Sequence, residues 1–164
     1  MAIRDAFIKE VQQESVATRK MLERIPPDTF DWKPHEKSMS MQRLSVLVAD
    51  MFGWLEFMID QDELDFAKGY TQPQPKTTQE LVDFFDEKLA AGLTSLKNAD
   101  DKVFSENWTL RNGDAVYMTT SKLDVVRQTI NHMVHHRGQL SVFFRLKDIA
   151  VPSIYGPTAD EGQM

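Results

Sequence analysis

Four stretches of this sequence repeat their apolar residues with the three-to-four-residue step of an α-helix, and loop-forming residues separate them. That pattern restricts the chain more than any other feature, because amphipathic helices joined by short links bury their stripes most economically against one another, as a bundle. In the first stretch Ile3, Phe7, Val11, Ala17, Met21, Leu22 and Ile25 recur from the N-terminus up to Pro26-Pro27, where proline lacks a donor and restricts its predecessor. A connector, 28–37, follows, and its Phe30, Trp32 and Pro34 are expected to pack over one end of the bundle. A second helix is expected from Ser38 or Ser40 to about Asp65, turning Leu44, Leu47, Val48, Met51, Trp54, Leu55, Met58 and Ile59 inward. After a Gly- and Pro-containing loop, 69–76, Thr77 or Thr78 can cap a third helix carrying Leu81, Phe84, Phe85, Leu89 and Leu93.

The segment 100–120 lacks this period. Its Trp108-Thr109-Leu110 and Ala115-Val116-Tyr117-Met118 flank Arg111-Asn112-Gly113-Asp114, and an Asn-Gly pair tolerates the positive dihedrals of a tight turn, so a short β-hairpin is expected here. A fourth helix should run from Ser121 to about Lys147 on a stripe of Leu123, Val126, Ile130, Met133, Val134, Leu140 and Phe144. The tail VPSIYGPTADEGQM reads as an irregular cap. The expected class is therefore all-α, a four-helix bundle with a hairpin before its last helix, and residues 1–164 read as a single domain.

Composition narrows the chemistry. A hydrophobic fraction of 41% against 27% charged residues belongs to a chain that folds. With no cysteine there is no disulfide, thiolate zinc site, iron–sulfur centre or cysteine nucleophile, and a reducing compartment fits. A formal charge of −6, with the basic residues scattered, disfavours a nucleic-acid partner. The N-terminal segment reaches acidic residues before any apolar run, and the most apolar stretch, 44–59, is interrupted by Asp50 and Glu56. Neither a signal peptide nor a membrane span is expected, and the reading is cytoplasmic.

Three of the four histidines lie in NHMVHHRGQ. Helical residues turn by about 100° each, so relative to Val126 His132 and His136 fall at about 240° and 280°, one above the other at the border of the apolar stripe. His135, at about 180°, turns away. An i,i+4 histidine pair can hold zinc, nickel or another transition ion, or it can make ordinary interhelical hydrogen bonds. Two ligands alone do not make a site, and with Met133 after His132 the zincin general base is absent. Arg137 falls at about 20°, inside the stripe, where a guanidinium requires an internal salt bridge, a carbonyl clamp or an anionic ligand. Gly138 beside it reads as an aid to close helix packing.

The segments DWKPHEKSMSMQRLSVLVADMFGW at 31–54 and NHMVHHRGQLSVFFRLKDIAVPSIYGPTAD at 131–160 resemble the DinB family, also called DinB/YfiT-like helical-bundle proteins, and the resemblance covers nearly the whole chain. It implies a four-helix fold, frequent homodimers, and kinship with metal-dependent thiol transferases and maleylpyruvate isomerase-like enzymes. It also implies a divalent ion held by one histidine on the second helix and two on the fourth. The latter roles fall on His132 and His136, but the first falls on Leu47, which cannot ligate. Asp50, on the same flank as Leu47 and Trp54, is the candidate third ligand, with a cap or salt bridge, for instance to Arg137, as its other reading. Gln139, Asp160 and Glu161 are more distant candidates, while His135 and Arg137 are expected to stand behind the ligands without touching the ion.

The expected function is a divalent-metal-dependent transferase or hydrolase acting on a small thiol or electrophile through a degenerate site. Zinc, nickel, iron or manganese is the expected metal, and no organic cofactor is expected. The alternative is a non-catalytic homodimeric bundle with structural histidines. A homodimer is expected on either reading, from the resemblance and from aromatics such as Trp54, Phe57 and Phe143.

Overall fold

The computed structural model describes residues 2–162. Four helices make the bundle: α1 (Ile3–Leu22), α2 (Met41–Asp60), α3 (Thr78–Asn98) and α4 (Lys122–Leu146). Three strands, β1 (Glu63–Asp65), β2 (Asn107–Asn112) and β3 (Ala115–Ser121), form a sheet in the order β1-β2-β3, with β2 and β3 the antiparallel hairpin that precedes α4. Gly113 supplies the positive φ of the hairpin turn, 57°.

Side-chain caps set three helix starts. Ser40 accepts from the Arg43 amide at 3.2 Å, Thr77 from the Glu80 amide at 3.1 Å and Ser121 from the Asp124 amide at 3.1 Å. The start of α1 is capped from outside its own sequence, the Asp101 carboxylate accepting from the amides of Ile3 and Arg4 at 2.9 and 3.0 Å. That contact, together with the helix dipole it faces, holds the Asp101 carboxyl below its ordinary pKa, with the Arg4 backbone bond the leading cause.

At the centre lies α2, with Met41, Leu44, Val48, Met51, Phe52 and Leu55 at 3% exposure or less. Phe52 meets Phe85 of α3 edge-on at 5.1 Å. A Cβ at Gly92 would overlap the Phe52 carbonyl oxygen, so α2 and α3 cross at a separation only glycine allows. The start of α4 is tied to the end of α2 by Lys122, whose buried ammonium donates to the Ile59 carbonyl at 3.1 Å and pairs with Asp62 and Glu106 at 2.9 and 3.3 Å.

Several expectations need correcting. α2 ends at Asp60, not near Asp65, because its apolar period stops at Ile59; residues 63–65 instead run parallel to 109–111 as β1. α1 ends at Leu22, before the two prolines. Leu123 is exposed although Lys122, Val125 and Val126 in the same turn of α4 are buried, so it falls outside the packed face, and Pro34 is exposed although Phe30 and Trp32 do pack inward. Nothing approaches the position a Gly138 Cβ would take, so that glycine serves no close packing.

Candidate functional site

The outer flank of α2 and the facing border of α4 bring together the histidines and the tryptophan. His132 and His136 stack one turn apart with ring centroids 4.6 Å apart, and their Nε2 atoms stand 2.8 Å from each other. Nδ1 of His136 lies 2.7 Å from Oε1 of Gln139, which can only accept, so Nδ1 carries the proton and Nε2 of His136 is left as the acceptor of a bond from Nε2–H of His132. The Gln139 amide nitrogen in turn donates to Nε2 of His135 at 3.0 Å. The four side chains form one chain of hydrogen bonds along α4.

Trp54 of α2 closes one side, its ring 6.2 Å from that of His132. Its indole N–H donates to Asp50 at 2.9 Å, which fixes the ring and occupies a carboxylate that is only 3% exposed. The Tyr70 hydroxyl stands beside the same carboxylate; burial first, and then the charge of Asp50, push its pKa up. The pKa of His132 is held below its usual value, chiefly because partial burial disfavours the imidazolium and then because His136 and His135 are close by. Next to His132 an open depression of about 430 Å³ is lined by Gln128, Thr129, Asn131, His132 and His135.

Arg137 lies one residue further along α4 but faces the other way, into the core. It is 2% exposed and pairs with Glu14 of α1 at 2.5 Å, while donating to the Glu14 carbonyl, the Thr18 hydroxyl and the Tyr155 hydroxyl at 3.0, 3.1 and 2.6 Å. The Tyr155 hydroxyl donates on to Glu14 at 2.8 Å, so the tail seals the pair from outside. Arg137 therefore pairs with Glu14 and not with Asp50. Asp160 and Glu161 are committed to Arg145 and Arg24.

Among the described residues no group of three or more His, Asp or Glu side chains converges as a metal cage. The fit to an ion is that of an edge with two donors. The Nε2 atoms of His132 and His136, 2.8 Å apart and hydrogen-bonded to each other, would be those two donors. His136 has the outer hydrogen bond that ligating histidines need. Leu47, half-buried against the core on the same flank of α2, supplies no third donor.

Sequence reasoning singled out His132, His136 and Asp50 but missed the roles of Gln139 and Tyr70 at the site and of Glu14 and Tyr155 around Arg137. Glu14 carried a readable signal: it falls in the helical phase of Phe7, Val11, Thr18 and Met21, where a carboxylate has to find a partner.

The DinB family profile matches residues 2–163. The chain belongs to the DinB family. Its relatives include YrdA of Bacillus subtilis strain 168, 23% identical over 157 residues that make up 96% of this chain and 90% of that protein. Among solved structures, a DinB-like protein of Bacillus subtilis (YjoA) superposes with a TM-score of 0.72 at 16% identity, covering 91% of this chain and 96% of its own. A structure assigned to the DinB family from Exiguobacterium sibiricum superposes with a TM-score of 0.69 at 22% identity, covering 98% and 97%. A DinB-like protein from Bacillus cereus ATCC 10987 gives 0.68 at 18%, covering 92% and 97%. At these identities the structural matches establish the fold. Among the described residues no helix is long and apolar enough to cross a membrane.

Proposed function

We propose that the α2/α4 face of this DinB-family bundle is a divalent-metal-dependent transferase or hydrolase centre for a small thiol-bearing or electrophilic substrate, reduced to two protein donors. The observation that carries this reading is the convergence of the His132 and His136 Nε2 atoms at 2.8 Å, with Gln139 holding the outer N–H of His136. A bound zinc, nickel, iron or manganese ion would supply the Lewis acidity that makes a thiol or water nucleophilic near neutral pH. The chain's own residues then have distinct tasks. Gln139 orients His136, Trp54 walls His132 from one side, and Asp50 holds Trp54 in place. His135 is hydrogen-bonded to Gln139 one shell out, and Arg137 fixes α4 to α1 from within the core.

The test is metal content and affinity in tag-free protein after extensive dialysis, with folding checked by circular dichroism. His132→Ala and His136→Ala should each abolish stoichiometric uptake, because a two-donor edge has none to spare, whereas His135→Ala should keep most of it. Full uptake in both of the first two variants would refute the assignment.

A second reading is favoured by Leu47: a non-catalytic homodimeric bundle whose histidines, linked with Gln139 in one hydrogen-bond chain, are structural. On either reading we assign the protein to the cytoplasm and to a homodimer, the latter supported by exposed apolar side chains such as Val142 and Leu146 at 57% and 58%.

A further inference from the structure

We propose that two copies of this chain pair through the exposed face of α4, antiparallel and crossing near Gly138, so that each roofs the depression beside the other's His132 with its own Val142 and Leu146. The inference rests on the homodimer assigned above and adds which face makes it. Three observations lead to it.

The first is a glycine without a task inside its own chain. Gly138 stands in the interior of α4, where glycine weakens a helix relative to alanine. It is exposed, and among the described residues nothing lies within 4 Å of the position its Cβ would take. A glycine on that face lets a second helix approach the backbone closely.

The second is the stripe to which Gly138 belongs. Gln128, Asn131, His135, Gly138, Val142 and Leu146 are all exposed, and at about 100° per residue they fall within about 80° of arc. Such a stripe stays in contact along its length when two helices cross at about 20°. It contains no carboxylate, whereas the whole chain has a formal charge of −6, so two copies meet on this face without like-charge repulsion.

The third is that the stripe is complementary to itself. C-terminal to Gly138 it carries two apolar projections, Val142 and Leu146, at 57% and 58% exposure. N-terminal to Gly138 lies the open depression of about 430 Å³, with Gln128, Asn131 and His135 on its wall. With a two-fold axis between Gly138 and Gln139, Val142 of one copy faces His135 of the other, each about 5 Å from the axis along the helix. Leu146 likewise faces Asn131 at about 11 Å. A parallel pair would set Val142 against Val142 and leave both depressions open, whereas the antiparallel pair fits projection to hollow twice and opposes the two helix dipoles favourably. The surroundings of His132 are then built from both chains.

The experiment uses the full, tag-free chain and measures the dimer dissociation constant by sedimentation, with circular dichroism to check the fold. Gly138→Gln and Val142→Asp should each raise that constant at least about tenfold, and because both positions are exposed the helical content should hold. The chain has no cysteine, so introduced thiols report the register cleanly. His135→Cys/Val142→Cys should oxidise to a covalent dimer, because facing positions come within the disulfide limit of about 7 Å between Cα atoms, while within one chain the two stand about 10 Å apart along the helix. Val16→Cys, at a position 59% exposed on α1, is the collision control and should cross-link far more slowly. A parent dimer whose constant is unchanged in both variants, or equally fast cross-linking through Val16→Cys, would overturn this face and leave the homodimer standing. A parent chain that stays monomeric at micromolar concentration would overturn the two together.

Discussion

Replacing Arg137 with methionine tests whether this residue holds the bundle together or waits for a ligand. The change keeps much of the volume and removes a guanidinium that is 2% exposed and makes four hydrogen bonds, one of them the 2.5 Å ion pair with Glu14. Glu14 and the Tyr155 hydroxyl would stay behind, the carboxylate 9% exposed and without its cation. Removing one member of such a pair costs about 3–5 kcal/mol, since the stranded charge cannot regain water. For a chain of this size that corresponds to a fall in unfolding midpoint of roughly 6–20 °C. Urea and thermal unfolding of Arg137→Met, Glu14→Leu and the double variant measure it. The double variant should recover part of the loss, because two apolar groups replace the pair. A loss below about 1 kcal/mol in Arg137→Met would refute the structural role and return Arg137 to the list of ligand contacts.

Gly92→Ala should destabilise the protein by about 1–3 kcal/mol despite alanine's better helix propensity, because the new methyl meets the Phe52 carbonyl; denaturant unfolding would show it, and a neutral result would mean α3 can slide. The tail should loosen in acid. The carboxyls of Asp160 and Glu161 are held below their ordinary pKa, first by Arg145 and Arg24 and then by the amides of Val151 and Ser153. Their contribution is therefore present above the unfolded values and is lost as the pH falls through the folded ones. NMR shifts of the Val151 and Ser153 amides should titrate below the ordinary carboxyl range; midpoints within that range would contradict this. His132 adds a second slope: the unfolded imidazole takes its proton first as the pH drops below its ordinary value of 6.5, so stability should fall there, and the fall should shrink in His132→Ala. Light scattering at micromolar concentration should give twice the monomer mass, and a persistent monomer would refute the homodimer.

The bundle was readable because each helix carries its own apolar stripe: the period of 44–59 behind Ser38 or Ser40 places α2 without any tertiary information, although its end, expected near Asp65, lies at Asp60. What the period could not reveal was pairing between distant segments. Leu64 alone gives 63–65 no pattern, and only the pairing of Glu63, Leu64 and Asp65 with Thr109, Leu110 and Arg111 makes it a strand. The same holds for Asp101, which caps a helix almost a hundred residues away. At the site, the 100° step placed His132 above His136 and turned Arg137 inward, both as found. Asp50 shares a flank with the histidines, but phase on one helix says nothing about which donor arrives first, and its own Trp54, one turn on, takes the carboxylate. Tyr155 gave no sequence signal, since the tail has no period from which to read a direction.

The claim at the centre of the account is that His132 and His136 form a metal edge lacking only a donor at position 47. Leu47→His tests it most directly, with affinity for Zn(II) and Co(II) measured by calorimetry on tag-free, folded protein. The variant should bind with stoichiometry of one and more than about 100-fold more tightly than the parent chain, because even partners one shell out are worth about 10–100-fold. Unchanged affinity in a folded Leu47→His protein, or a gain that survives removal of both His132 and His136, would contradict it.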